Sequence, residues 1–545
     1  MSHSWAEFPI ELASGSWLIL TQFAALKRPI ASDIEIFLTL MLADEVRKMS
    51  QVEWHLYNEE VLTVNSEAQS LGGLVVETNA INVIAESERT GEPRSLFWPW
   101  CAANISVLGV SYGSWFLGFG VSFWQASLAA ILGTAFSFLL VGLVSLAGKH
   151  GSAPTMTLSR AAFGINGNKL PGALSYIALV GWETVLCSLA TLATATVFER
   201  IGGIHGTSAK LVGFLIVVLL TMGAGVLGFS VIMKLQKIIT IATAVLTIGY
   251  ILLSFKEISW SAVSAHPDGN VQAFIGVLIF GMTGFGLGWV NSGADYSRYL
   301  PRKVSSRGVV GWTVLGASIA PIILVIYGAL LAGSDKKLND AISGDPIGAL
   351  TMILPTWYLL LFAAVAILGL VGGTVLDIYS SGLALISLGI KIPRAVAVGI
   401  DGVIMILGTI YMVWFAENFF YPFQGFLITL GVPIAAWAGI FIADLFLRKR
   451  GYDESDLFDS NGRYGSVNWS SVTLMVAASV AGWGLVTNGF ASWLSWQGYL
   501  LEPIGLGGRE GAWAYSNLGV AVALATGFIG HWFLGRTEIA KQESA

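Results

Sequence analysis

Two stretches of the chain, ISVLGVSYGSWFLGFG (105–120) and FGMTGFGLGWVNSG (280–293), set clustered glycine among apolar side chains. The first carries Gly109, Gly113, Gly118 and Gly120, and the second Gly281, Gly284, Gly286, Gly288 and Gly293. Each glycine weakens a helix by roughly 1 kcal/mol relative to alanine, so both stretches predict interrupted helices. Inside a bilayer, a broken helix is tolerated where it is buried in protein or lines a cavity. A matched pair of such breaks in corresponding positions of two halves points to an inverted-repeat transporter with its site between them.

The composition outside these stretches supports a membrane setting. Of 545 residues, 55% are hydrophobic and only 12% charged, whereas a soluble globular chain carries about 25% charged residues. From Trp98 onward, twelve apolar segments follow, at about 101–121, 124–147, 171–198, 210–231, 234–255, 272–294, 308–333, 354–385, 393–415, 418–446, 469–490 and 514–534. With the first loop inside, alternate loops hold 19 Lys and Arg on the inner side and 6 on the outer. That bias places both termini in the cytoplasm. The glycine-broken segments open spans one to five and six to ten. The fold expected is therefore all-α and polytopic, with twelve transmembrane helices, a first repeat over 101–255, a second over 272–446 and two extra helices over 469–534. Residues 76–535 form the transmembrane domain and 536–545 a cytoplasmic tail.

Residues 1–75 read differently. They hold two apolar runs, WLILTQFAAL (17–26) and IEIFLTLML (34–42), each too short to span and close to charges. No basic n-region precedes them, so no signal peptide is expected. They are expected to be a leader outside the functional domain, with Met49 as an alternative start.

Carboxylates within apolar spans are costly and usually face a bundle interior or cavity. Asp377 is the only charge between Asp345 and Lys391, and Glu183 the only one between Lys169 and Glu199. Gly369, Gly373, Asp377 and Ser381 recur every four residues, which forms one small or polar stripe on a helix. Asp401 and Asp444 lie nearer the cytoplasmic ends, where water is the expected partner. Glu183 follows Trp182, and Trp289 closes the second glycine-rich stretch. An aromatic face beside a carboxylate suits a flat ligand with N–H donors, since base–aromatic stacking is worth about 1–3 kcal/mol. Asp295 and Arg298, three residues apart, can meet on one helix face at the cytoplasmic end of span six, either as a helix-end ion pair or as a gate contact.

Enzymatic chemistry is not expected. No HExxH occurs, and GVSYG (109–113) matches the GxSxG pattern inside an apolar span, without the strand–turn–helix setting that motif needs. The histidines and the two cysteines form no ligand cluster, and no metal or nucleic-acid partner is implied. A passive channel would call for charged rings or repeated carbonyls, which two lone carboxylates on different helices do not supply.

Several ordered motifs resemble the nucleobase–cation symporters, in particular the purine–cytosine permease branch. They are GEPRSLFWPWCAANISVLGVSYGSWFLGFG (91–120), GSAPTMTLSRAAFGINGN (151–168), GWETV (181–185), GWVNSGADYSRYLP (288–301), DIYSSGLAL (377–385), FIADLFLRKRGYDESDLF (441–458) and GRYG (462–465). The resemblance implies a leucine-transporter-like fold of two inverted five-helix repeats with helices one and six broken. It implies plasma-membrane import of a cytosine, purine, uracil or allantoin-class heterocycle by cation symport, the alternative being a hydantoin or a thiamine-like vitamin. It places the ring between Trp182 and Trp289 and gives Glu183 and Asp377 its edges. Backbone groups are expected from the helix breaks, Ser111 to Ser114 (with Gly113) in the first and Gly286 to Gly288 in the second. The chain departs from the family at Leu186, where Gln or Asn is frequent, and at Asp377, where Asn is. Val371 and Gly372 stand near where sodium-coupled members place hydroxyls, with Thr374 close by. The coupling ion expected is therefore H⁺ rather than Na⁺, carried by Asp377 or Glu183.

Overall fold

A computed structural model describes residues 79–225, 229–416, 418–489 and 492–544. The two short apolar runs of the leader and Met49 lie outside the described residues. Among the described residues the regular structure is helical, with no strand.

The first broken segment forms two short helices, α1 (Phe97–Asn104) and α2 (Leu108–Leu117). α3 (Phe123–Gly151) starts where Ser122 and Gln125 cap one another's backbone N–H groups, a reciprocal capping box. α4 (Lys169–Ile201), α5 (Gly206–Gly225) and α6 (Phe229–Ser254) follow. α7 (Val271–Gly284) is capped by the Asn270 side chain and gives way at Phe285 to a single turn, α8 (Gly286–Trp289). Then come α9 (Ser306–Ser334), α10 (Leu359–Ser387), α11 (Arg394–Trp414), α12 (Phe420–Leu447), α13 (Trp469–Trp483) and α14 (Leu518–Ser544).

Among the described residues ten helical stretches are long and apolar enough to cross a membrane by length and composition, with Val271–Ser292 counted as one through its break. The expected first span is absent from that set because its break leaves helices of 8 and 10 residues. The eleventh is absent because α13 has only 15 residues. Large apolar side chains such as Leu219, Ile238, Leu252, Leu407 and Phe533 point outward and are exposed. Such a surface is a liability in water and suits a hydrocarbon solvent.

Small residues decide where the helices meet. A Cβ on Gly113 would run into the backbone of Val325, Gly328 and Ala329, and one on Gly328 into the carbonyl of Val110. α2 and α9 therefore touch backbone to backbone, a packing that small residues make available in membranes. On α10, Cβ atoms on Gly369, Gly372 and Gly373 would lie 3.0 Å from Ile105 O, 3.1 Å from Ala102 O and 2.9 Å from Leu186 Cδ1. Gly369 and Gly372 thus pack against α1 and its break, and Gly373 packs against α4.

The connections sort to two ends. At one, Ile84 N–H donates to Ser152 O, Gly91 N–H to Tyr299 O, Ile165 N–H to Gly465 O and Asn468 N–H to Phe163 O. Arg302 pairs with Glu454 there, and Arg160 donates to Leu457 O and Ser387 O. The loops rich in Lys and Arg thus converge at this end. At the other, Gln125 Nε2 donates to Gly269 O, Ser259 N–H to Ser334 Oγ and Thr196 Oγ1 to Asp345.

Asp401 and Asp444 do not meet water as expected, since both are fully buried. Asp444 is bound by Arg448 at 2.6 Å and approached by His531 at 3.4 Å. Asp401 accepts from Ser381 Oγ at 2.9 Å. Arg448 sits one turn on at the end of the same helix, whereas neighbouring helices supply His531 and Ser381, which a reading of single spans does not reach.

Candidate functional site

The two helix breaks face each other. Between α1 and α2, Ile105 leaves helical geometry at φ −85°, ψ 71°, and Ser106 O takes the Gly109 N–H at 2.9 Å. In the second break, Phe285 adopts φ −119°, ψ −102°. Gly286 then donates to Ser137 Oγ of α3 at 3.1 Å, and a Cβ there would overlap the Ser137 backbone. Only glycine lets the chain approach α3 this closely.

Between the breaks lies a cavity of about 40 Å³. One wall is Asn104, Ser106, Gly109 and Tyr112, and the opposite one Gly284, Phe285 and Trp289. α4 adds Trp182 and Leu186, and α10 adds Gly369. Trp182 and Trp289 are thus brought to one cavity. Trp289 is set edge-on to Trp100, with centroids 5.8 Å apart, and Trp182 edge-on to Phe423 at 5.6 Å. A cavity of this size holds about one water, so a ring enters only if its walls move. A second cavity of about 20 Å³, with Trp182, Gly288 and Phe426 in its walls, lies behind the first indole.

The carboxylates occupy another layer. Glu183 follows Trp182, and at 3.6 residues per turn it is rotated about 100° from it. It is fully buried, with Ser381 and Asp401 as polar neighbours. Asp377 is 1% exposed and lies eight residues along α10 from Gly369, about 12 Å towards the basic end. Neither residue lines the cavity of the two tryptophans. Among the described residues no hydrogen bond reaches either oxygen of Glu183 or of Asp377, and Ser381 Oγ donates to Asp401. A buried carboxylate left so costs several kcal/mol unless a proton or a cation meets it.

Other expected site residues have structural partners. Ser111 Oγ donates to Pro346 O at 2.5 Å, away from the cavity. Gly113 serves the α2–α9 crossing. Asp295 and Arg298 lie in a run of turns rather than on one regular helix. Asp295 Oδ1 accepts the Thr155 N–H at 2.7 Å and its hydroxyl at 2.8 Å. Burial pushes the Asp295 carboxyl up to about 6, against the pull of the Thr155 donors. Arg298 donates to Ala80 O at 2.6 Å and to the Tyr379 hydroxyl at 2.7 Å. With Tyr296 OH donating to Leu376 O at 2.7 Å, these bonds close the basic end.

The opposite end is open. A cavity of about 520 Å³ lies there among α2, α7, α12, the helix Lys336–Gly344 and the 511–516 loop. Its floor is aromatic. Trp115 packs on Phe420 at 5.2 Å and on Phe423 at 5.5 Å, and Tyr112 lies 4.9 Å from Trp115. Since Phe423 also contacts Trp182, this one aromatic layer separates the open cavity from the small one.

Phe285, Phe423, Asn104 and Ser106 are not among the residues expected from sequence, and Tyr112 is expected there only for its backbone. Tyr112 lies inside the first glycine-rich stretch and Phe423 inside FFYPFQGF (419–426), so local signals existed without a partner to interpret them. Among the described residues, no three His, Cys, Asp or Glu side chains group to hold a metal.

Residues 83–501 match the family described as permease for cytosine/purines, uracil, thiamine and allantoin. The Bacillus subtilis protein YxlA, named as a candidate purine-cytosine permease, is 26% identical over 410 residues, 74% of this chain and 86% of its own length. The Saccharomyces cerevisiae purine-cytosine permease FCY2 is 24% identical over 457 residues, 78% of this chain and 81% of its own. Among solved structures, the similarity extends to Mhp1, a nucleobase-cation-symport-1 family transporter in a closed conformation with bromovinylhydantoin bound. Its TM-score is 0.64 at 18% identity, covering 86% of this chain and 99% of Mhp1. At that identity the likeness establishes the fold.

Proposed function

The chain belongs to the family of permeases for cytosine/purines, uracil, thiamine and allantoin, and from that premise we propose that it imports a planar heterocycle of the nucleobase class by symport with a proton. Membership makes it a multi-pass membrane transporter rather than an enzyme. The observation that carries the substrate reading is the meeting of Trp182 and Trp289 on one cavity between two helix breaks. Indole faces stack on any flat ring, and the breaks free backbone donors and acceptors for its edges. Twelve crossings in two inverted five-helix repeats, with both termini in the cytoplasm of a plasma-membrane protein, complete the reading. The convergence of the basic loops at one end supports that orientation.

In this reading Trp182 and Trp289 hold the ring, Gly288 seats the Trp182 indole, and Ser111 and Gly113 fix α2, which carries the first break, against its neighbours. Glu183 and Asp377 either reach the ring edge as the walls move or carry the coupling proton. Their hydrogen-bond-free oxygens support the second role. Asp295 and Arg298 belong to the inner gate, with Thr155 and Tyr379 as its counterparts. Two features favour the proton over sodium. No hydroxyl stands at Val371 or Gly372, and the Gly372 carbonyl is already taken by Gln236 Nε2 at 2.9 Å. Thr374 donates to Leu370 O within its own helix.

Uptake of labelled cytosine, uracil, adenine, hypoxanthine, allantoin and hydantoin, with and without a protonophore and with and without Na⁺, tests the proposal. Accumulation of one of these, abolished by the protonophore and indifferent to Na⁺, is expected. Accumulation that survives the protonophore and needs Na⁺ would overturn the coupling assignment.

A further inference from the structure

We propose that the open cavity of about 520 Å³ is a second binding site for the same class of neutral planar heterocycle, occupied before the ring reaches the tryptophan pair. The inference rests on the permease reading and adds a site to it. Pockets for small molecules usually enclose about 300–1,000 Å³, so this cavity admits a ring as it stands, whereas the inner one of about 40 Å³ does not.

The lining specifies the ligand. None of the described residues around the cavity is charged, so nothing among them repays the desolvation of an ion. Trp115, Phe420 and Tyr515 offer aromatic surface, and Ser114, Asn339 and Gln424 offer hydroxyl and amide groups. Ser114 Oγ donates to Asn339 Oδ1 at 2.5 Å, tying the Lys336–Gly344 helix to α2 over one side. Gln424 is only 5% exposed, and its Oε1 has no hydrogen-bond partner. A carboxamide sets an acceptor beside a donor, which matches the adjacent N–H and C=O or ring nitrogen of a lactam or amidine edge. A polar atom buried without a partner costs about 1–3 kcal/mol, and turning the Gln424 carboxamide towards such an edge in the cavity would satisfy it. The site also lies on the route inward, because Trp115 and Phe420 on its floor pack against the aromatic layer that reaches Trp182.

Accessibility at Ser343, exposed in the cavity wall, reads occupancy of this site separately from the inner one. Cys101 and Cys187 are buried, so Ser343→Cys in the full chain, reconstituted in liposomes, reports on the cavity through a membrane-impermeant maleimide. Cytosine, uracil, adenine and hydantoin serve as probes. We expect one or more of them to slow labelling several-fold, also when Trp182→Ala or Gly288→Val disables the inner pocket. Gln424→Leu, or Gln424→Met as a second variant, should raise the half-protecting concentration at least tenfold with the unliganded labelling rate unchanged. Protection that disappears with Trp182→Ala and Gly288→Val alike, or that both Gln424 variants leave intact, overturns the second site. Uptake without any protection at saturating probe overturns it too and leaves the permease reading standing. Protection by probes that are never taken up does the reverse.

Discussion

Trp182 and Gly288 meet so closely that a Cβ at position 288 would lie 2.8 Å from Trp182 Nε1 and 3.1 Å from its Cε2. The glycine of the second helix break is therefore the seat of the indole of α4. Gly288→Ala should displace the ring while leaving the helices in place, because Trp182 is only half-buried and can move. Loss of one stacking face costs about 1–3 kcal/mol, so the half-saturating substrate concentration should rise about tenfold with surface expression unchanged. Uptake kinetics beside a surface-labelling control check this, and normal kinetics would remove Trp182 from the site.

Asp377 should separate transport from accumulation. Among the described residues neither of its oxygens is hydrogen-bonded, and it lies a layer below the tryptophan cavity. Asp377→Asn keeps the shape and removes the proton-binding function, so exchange of internal for external substrate should persist while uphill uptake falls at least tenfold and loses its pH dependence. Glu183→Gln should show the same split if the proton visits both. Counterflow and net uptake in the same vesicles distinguish this outcome from misfolding, in which both would disappear. An unchanged pH profile in both variants would exclude them as the coupling groups.

The inner end should respond to pH through Asp295. Its carboxyl is pushed up to about 6 by burial, so the packed arrangement favours the neutral form. That contribution is complete below the ordinary carboxylate range near 3.8 and is lost as pH rises through about 6. Ionisation at neutral pH therefore costs stability through desolvation, offset only in part by the Thr155 N–H and hydroxyl, which favour the carboxylate. Asp295→Asn keeps an Oδ1 to accept both Thr155 donors and cannot ionise. The variant should melt higher than wild type at pH 8 and equally at pH 4, read by thermal unfolding in detergent. A difference that is the same at both pH values would exclude titration of Asp295 as its source.

What could be read from sequence followed from the physics of one span at a time. Glycine clusters weaken any helix that contains them, so both breaks were visible at 105–120 and 280–293. The four-residue stripe on α10 was visible for the same reason, because helical periodicity is local. Trp182 and Trp289 were legible from a carboxylate beside one and a glycine-rich stretch ending in the other, the family motifs then pairing them, and the cavity brings them together. The destinations of polar groups were not visible. Ser111 turns to Pro346, Asp401 to Ser381 and Asp444 to Arg448 and His531. Apart from the Asp444–Arg448 pair, each joins elements that only the tertiary fold brings together. Glu183 and Trp182 were read as one site because they are adjacent in sequence, yet the helical rotation between them sends one to the cavity and the other to a layer of acids. Phe423 lacked a reading for a similar reason, since its role comes from contacts with α2 and α4.

A matched pair of glycines on α9 tests the packing argument itself. At Gly328 a Cβ would lie 2.6 Å from Val110 C and 2.8 Å from Val110 Cα, on backbone that cannot swing aside as a side chain can. At Gly311, on the same helix, it would meet nothing within 4 Å. Gly311→Ala should be neutral or stabilise by about 0.4–1 kcal/mol, through the unfolded-state effect of replacing glycine. Gly328→Ala should destabilise by about 1–3 kcal/mol, as overpacking does, because α2 must move off α9. That shift would also disturb Tyr112 and Trp115, which α2 carries into the aromatic layer, so uptake should fall together with melting temperature. Thermal unfolding of the two variants in detergent measures the contrast. Equal melting temperatures would mean that α2 and α9 do not touch backbone to backbone.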